Sequence, residues 1–337
     1  MRILIIGGTR LMGPSIVESL HAAGHTVTIF HRGQTRIELP EGVEEITGDV
    51  NQLADYSGQL RSLQADVVLD MMAMTEMQAE ALMETFIGFT RRVVVLSSQD
   101  VYRAFGRVNR TESSEVDPSL ITEDSPLREN FYPHREHGRG AFYHDYDKIL
   151  VERIVMKYPD LLPGTILRVP AVYGPRDYQH RMFSFLKRML DGRPAILLEE
   201  NVANWRWGHG YVENIADSIV LSITDERASG RIYNVGEPFA LTVAERIEQI
   251  ARVVDWHGRI VTLPEERIPV GQRWGINAAQ NVIADTSRIR QELGYSERIG
   301  LEEAFRRTIA WERANPPEQI NPAEFDYEAE DKVLAEL

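Results

Sequence analysis

The run Arg2-Ile3-Leu4-Ile5-Ile6 leads directly into Gly7-Gly8-Thr9-Arg10-Leu11-Met12-Gly13-Pro14, and this junction decides the reading of the chain. Five residues that are mostly apolar suit a buried strand, and the glycines that follow end it. Gly7 and Gly8 permit a tight turn and let a ligand approach the backbone closely. The helix that opens after them offers unpaired N–H groups and a partial positive charge. Gly13 lets that helix sit close to the strand, and Pro14 costs nothing near a helix start because its N–H would be unpaired anyway. The turn is suited to the linked phosphates of a dinucleotide, with Gly7, Gly8, Thr9, Arg10, Leu11, Met12 and Gly13 as its contacts.

Outward from this turn, short apolar runs alternate with helical patterns, the mark of βαβ units and a parallel sheet. The expected strands are Arg2–Ile6, Thr26–Phe30, Glu44–Ile46, Val67–Asp70, Arg92–Leu96, Gly164–Arg168 and Arg231–Val235. Amphipathic stretches lie at Gly13–Ala23, Met77–Gly88, Lys148–Lys157, Val243–Val254 and Leu301–Ala314. The fold class is therefore α/β, with a doubly wound parallel sheet. The second strand runs into His31-Arg32-Gly33, with no carboxylate to grip a ribose 2′-hydroxyl. Arg10 and Arg32 lie where a 2′-phosphate would sit, and guanidinium matches phosphate in a bidentate fashion, so NADP is expected over NAD. Asp49-Val50, after the third strand, is an adenine contact or an ordinary turn.

The 337 residues carry 37 Lys and Arg against 51 Asp and Glu, a net charge of −14. That balance disfavours nucleic acid or an anionic membrane as partner. With no cysteine, thiolate chemistry and disulfides are excluded. The longest apolar runs are strand-length, far short of the ~20 residues that span a bilayer, and a cytoplasmic location is expected. The stretch 103–140 is polar, holds prolines at 118, 126 and 133, and reads as a functional loop or lid. Residues 316–337 hold seven acidic residues against one lysine and read as a solvated or loosely docked tail. His134-Arg-Glu-His137 lacks the spacing of a helical zinc site, so no metal is expected. No Gly-x-Ser-x-Gly elbow supports hydrolase chemistry.

Several ordered segments resemble the extended short-chain dehydrogenase/reductase superfamily, in its NAD(P)-dependent epimerase/dehydratase branch. They are Gly7-Gly-Thr-Arg-Leu-Met-Gly13, Val95-Leu-Ser-Ser-Gln-Asp-Val-Tyr102, Lys148-Ile-Leu-Val-Glu152, Leu167-Arg-Val-Pro-Ala-Val-Tyr-Gly-Pro175, Gly210-Tyr-Val-Glu-Asn-Ile-Ala216, Tyr233-Asn-Val-Gly236 and Asp285-Thr-Ser with Glu292-Leu-Gly-Tyr295. The resemblance implies a Rossmann domain over 1–172 with a return segment 207–238. A smaller substrate domain would comprise 173–206 and 239–315, with 316–337 as the acidic tail. It implies Ser98 as the hydroxyl that binds the reacting oxygen and Lys148 as the holder of the nicotinamide ribose. Val172 would face the coenzyme, and Tyr102, Tyr173, Arg176 and Arg206 the substrate.

The family's acid/base is a tyrosine four residues before the lysine, and here that position is His144. On a continuous helix Tyr143 and Tyr146 would point roughly 140–160° away from Lys148. They reach the site only if the helix starts late, which Gly138 and Gly140 would permit. His144 as acid/base, Tyr143 or Tyr146 as substitute, and a silent site all stay open. Arg181, Lys187, Arg188 and Arg193 suit an anionic sugar derivative, or a solvated helix face. Trp205 and Trp207 suit packing between domains or stacking on a ligand. The resemblance also implies a homodimer through the lysine helix, using Ile149, Leu150, Val151 and Ile154. The expected function is an NAD(P)-dependent oxidoreductase, epimerase or dehydratase that transfers hydride to or from a sugar or nucleotide-sugar. The alternative is a catalytically silent dinucleotide-binding regulator.

Overall fold

The computed structural model describes residues 1–35, 37–112, 115–118, 120–135 and 143–337. Eleven strands occur among them: β1 (Arg2–Ile6), β2 (Thr26–His31), β3 (Glu44–Thr47), β4 (Val67–Asp70), β5 (Arg92–Ser98), β6 (Gly164–Val169), β7 (Ala171–Tyr173), β8 (Ala195–Glu199), β9 (His209–Tyr211), β10 (Ile232–Asn234) and β11 (Arg259–Leu263). Seven form one sheet in the order β10-β6-β5-β4-β1-β2-β3. Every pairing in it is parallel. Alternate side chains go to opposite faces, as the two-residue strand period requires. Ile3, Ile5, Val27, Ile29 and Val94 enter one apolar cluster, and Leu4, Ile6, Phe30, Val93 and Val95 the other. Both faces are covered, which is why these strands read as continuous apolar runs.

After β3 the chain crosses back to place β4 on the other side of β1. Ligands bind at such a reversal, outside the carboxyl ends of the strands. A smaller layer carries the parallel pair β8–β11 and the helices Phe183–Leu190, Val243–Val254 and Leu301–Ala314.

One expectation is corrected here and another narrowed. The stretch expected to lack regular structure opens with a helix, Arg103–Val108, because Ala104 and Val108 share one buried face. Of the two readings of the acidic tail, solvated or loosely docked, the docked one holds. Its helix, Tyr327–Ala335, buries Glu330 completely. The Glu330 carboxylate accepts from Arg188 Nε and Gln272 Nε2, both at 2.9 Å, and faces Arg193 Nε at 3.3 Å. Two guanidiniums thus compensate a carboxylate that could not be buried alone. Net charge on a segment does not reveal such a partner.

The same contact engages part of the basic cluster once read as a substrate patch. Arg188 and Arg193 hold the tail, Lys187 pairs with Asp191 at 2.6 Å, and Arg181 pairs with Asp177 at 2.7 Å. No helix among the described residues is long and apolar enough to cross a membrane.

Candidate active site

A cleft of about 310 Å³ opens over the carboxyl ends of β1, β2 and β4. Gly7, Gly8, Thr9, Arg10, Arg32 and Val50 line it. Gly7 and Gly8 have φ of 102° and 88°, values that L side chains rarely adopt. A Cβ on Gly13 would stand 2.4 Å from the Gly8 carbonyl, so the helix Gly13–Ala22 can begin against the turn only with glycine there. A dinucleotide's phosphates fit this backbone cradle. Leu11 is partly buried, with φ of 46°, and Met12 packs inward. Arg10 and Arg32 are exposed at the cleft, and Arg10 Nε donates to Thr35 Oγ1 at 3.1 Å. Asp49 caps a short turn, its carboxylate accepting from the Asn51 N–H at 3.0 Å, which is its turn reading.

The helix carrying the lysine starts at Lys148, with the Asp147 carboxylate accepting from the Ile149 N–H at 2.9 Å. Asp147 is extended, so residues 143–146 lie off the helix and the four-residue face rule does not apply to them. Among the alternatives the geometry separates the side chains clearly. The His144 ring is exposed and bonds Asp145 at 2.9 Å. Tyr146 is buried, and its hydroxyl donates to Asp100 Oδ2 at 2.6 Å. The Ser98 hydroxyl acts on the same phenol, favouring its ionised form. Burial, then the Asp100 carboxylate, pushes the Tyr146 phenol well above its ordinary value. Tyr143 lines the first cleft, its ring 6.1 Å from that of Tyr146. His137, Gly138 and Gly140 lie outside the described residues.

Lys148 is buried. Its ammonium donates to the Ala73 carbonyl at 2.6 Å and the Leu96 carbonyl at 2.7 Å, two of three available donors. Burial lowers its pKa, and the Asp70 carboxylate opposes that shift. Asp70 is itself pushed up by burial, against hydrogen bonds from the Met72 and Ala73 N–H groups and the charge of Lys148.

A second cleft, of about 590 Å³, lies between the ends of β5 and β6 and the smaller layer. Ser98, Gln99, Asp100, Arg128, Trp207 and Trp274 are among its walls. Tyr102, expected at substrate, is instead wholly interior. Its hydroxyl donates to Asn234 Oδ1 at 2.6 Å and accepts from Arg168 at 2.9 Å. Burial pushes that phenol up to about 12. Arg168 is locked to Glu152 at 2.7 Å, so these motif residues brace the sheet edge beneath the site. Tyr173 is also interior, its hydroxyl on Glu237 at 2.7 Å. Val172 is buried in β7, its carbonyl accepting from Arg181. Arg176 is exposed, and Arg206 pairs with Glu245 at 3.2 Å.

Sequence reasoning assigned no role to Gln99 and Asp100, although both stand between Ser98 and Tyr102 in a quoted segment. Their signal was adjacency to the serine. Trp274 and Arg128 carried no local signal. Among the described residues no cluster of His, Asp or Glu could hold a metal.

A doubly wound parallel sheet with a glycine turn on its first strand and a hydroxyl pair at the neighbouring strand end defines a Rossmann-type dinucleotide-binding protein. Residues 3–236 match the NAD dependent epimerase/dehydratase family, and the chain belongs to it. It is 24% identical over 330 residues to a UDP-N-acetyl-alpha-D-glucosaminuronate decarboxylase of Bacillus cytotoxicus, covering 93% of this chain and 98% of that protein. It is 24% identical over 309 residues to a 2'-dehydrokanamycin reductase of Streptomyces kanamyceticus, covering 89% and 79%. The structure of a Thermus thermophilus UDP-glucose 4-epimerase in complex with NAD superposes with a TM-score of 0.68 at 20% identity, covering 94% and 100%.

Proposed function

We propose that the protein is an NADP-dependent enzyme that transfers hydride to or from a sugar carbon, as an oxidoreductase, epimerase or dehydratase. The observation that carries this reading is the Tyr146 hydroxyl. It donates to Asp100 Oδ2 beside Ser98, and its ring stands between that of Tyr143, which lines the first cleft, and that of His134, which lines the second. The bound nicotinamide supplies the hydride acceptor or donor. The backbone of the 7–13 turn holds the pyrophosphate, Arg10 and Arg32 the 2′-phosphate, and Lys148 the ribose through its remaining donor.

In the oxidative direction Ser98 and Tyr146 grip the substrate hydroxyl. Its proton passes to the Tyr146 oxygen as the Tyr146 proton moves to Asp100 Oδ2, and a carbonyl forms at the sugar carbon as hydride leaves. A phenol whose pKa is raised does not ionise by itself near neutrality, so a relay to Asp100 suits it better than a standing phenolate. Leu150 and Ile154 stay partly exposed on the lysine helix, whereas Ile149 and Val151 are buried within the chain, and a homodimer across the former pair belongs to the same reading.

The test is coenzyme reduction against a panel of sugars and nucleotide-sugars. Tyr146→Phe should lower turnover by about 100-fold or more with coenzyme affinity kept, whereas His144→Ala should leave both unchanged. Equal damage from His144→Ala would overturn the assignment of Tyr146. Coenzyme binding without turnover of any panel member would identify a silent dinucleotide binder.

A further inference from the structure

The second cleft has two ends of different chemistry. At the inner end the Gln99 Oε1 and Asp100 Oδ1 atoms are buried, and neither has a hydrogen-bond partner among the described residues. The Gln99 amide is oriented by its Nε2, which donates to the Val235 carbonyl at 3.0 Å, so its oxygen is the free atom. Buried polar atoms without partners are costly, and their native partner is water or a ligand. Two buried acceptors call for a group that donates. Hydroxyls do so, and phosphate oxygens only accept.

The outer end is aromatic. Trp205 is buried, its Nε1 donating to the Gln280 carbonyl at 2.7 Å. Trp207 stacks on it with ring centres 5.5 Å apart, and Trp274, 36% exposed, meets it edge-on at 6.2 Å. A diphosphate at this end would need cations with donors to give. Among the described residues, both guanidiniums that line the cleft already face carboxylates, Arg128 on Asp147 at 3.5 Å and Arg181 on Asp177 at 2.7 Å. Arg206, outside the lining, is held by Glu245 and by the Ala240 carbonyl at 2.6 Å. Arg188 and Arg193 hold the tail.

We infer that the substrate is a glycoside not carried on a nucleoside diphosphate. Its reacting sugar hydrogen-bonds Gln99 and Asp100, and a second, uncharged ring stacks on Trp207 and Trp274. This rests on the sugar-directed reading above and narrows it. Apolar C–H faces of a ring on tryptophan gain from burial and from the shape of the π face.

The experiment titrates UDP, UDP-glucose, maltose and a glucosamine disaccharide into protein saturated with NADP, following tryptophan emission and heat. At least one disaccharide should bind about tenfold or more tighter than UDP, and Trp274→Ala should weaken it about tenfold. Trp207→Tyr, which keeps an aromatic face, should weaken it less than Trp207→Ala. Equal or tighter binding of UDP or UDP-glucose, no disaccharide binding, or unchanged affinity in Trp274→Ala would each overturn the inference. Coenzyme reduction by UDP-glucose would overturn it while sustaining hydride transfer as the function. Disaccharide binding with no coenzyme reduction by any sugar would do the reverse.

Discussion

The cleft over the glycine turn and the cleft walled by tryptophan are made of different material. The first is largely main chain: a turn at 7–13 whose shape depends on glycine, with side chains added from the ends of neighbouring strands. The second is side chain throughout, assembled from segments around residues 98–111, 128–134, 169–181, 205–207 and 274–276. A backbone cradle is a local property of a short sequence. A wall of tryptophan and paired arginine is a property of the whole fold, and the tail at the far end of the chain helps to build it. Gln272 is bonded to Glu330 two residues from Trp274, and Gly271 lies so close to Ala323 that a Cβ there would meet its carbonyl at 2.2 Å.

The largest effect expected from this difference is in the side-chain half. Glu330→Ala would leave Arg188 and Arg193 facing each other in a buried site without their carboxylate. A loss of about 4 kcal/mol in unfolding free energy is expected, from the usual cost of breaking a buried ion pair. Denaturant titration measures it. Coenzyme affinity, measured in the same samples below the transition, should hold. A loss under about 1 kcal/mol would place the pair with exposed salt bridges and return the tail to its solvated reading.

Gly13→Val is the counterpart in the backbone half. The added atoms meet the Gly8 carbonyl at 2.4 Å, so helix and turn must separate. Coenzyme affinity should fall about 100-fold, roughly 2.7 kcal/mol, within the range for overpacking a tight contact. Fluorescence of the bound reduced coenzyme reports it, while ligand quenching of the tryptophans in the second cleft should persist.

These two changes also mark what the sequence could reveal. All seven strands of the main sheet were legible, the central ones because a parallel sheet covered on both faces leaves apolar runs that need no context. The turn was legible because glycine there has one physical reason. The start of the lysine helix was legible in the stretch Lys148–Lys157, but the choice among His144, Tyr143 and Tyr146 stayed open. His144 stands at the right interval from Lys148, but an extended Asp147 breaks the helical register and brings Tyr146 to Asp100 instead. Tyr102 misled in another way. Its motif is genuine, yet its hydroxyl turns into the Arg168–Asn234 network, and only burial reveals that.

Tyr102→Phe tests the last point. Removing the hydroxyl leaves Asn234 Oδ1 without its donor, and a loss of about 2 kcal/mol is expected from that unsatisfied buried acceptor. Binding in the second cleft should not change. The alkaline limb carries a sign as well. A phenol near 10 unfolded and about 12 folded keeps its proton longer in the native state. It therefore contributes stability that is present below pH 10 and is lost as pH rises toward 12. The variant should show a shallower decline across that window. A decline equal to that of the parent would assign it to other groups.

The smallest effect belongs to the two arginine side chains of the first cleft. Arg32 is exposed and Arg10, among the described residues, is tethered only to Thr35, so any hold on a 2′-phosphate is a surface charge pair without burial to strengthen it. Arg32→Ala should weaken NADP about tenfold, near 1.4 kcal/mol, and leave NAD unchanged. Because exposed charges are screened, the preference of the parent for NADP should itself shrink as salt rises from low to physiological strength. The backbone contacts of the turn, shared by both coenzymes, give no such divergence. A preference for NADP that ignores salt would mean that the 2′-phosphate is read by something other than these two arginines. A preference for NAD would remove the 2′-phosphate from the site altogether and leave the coenzyme to the glycine turn.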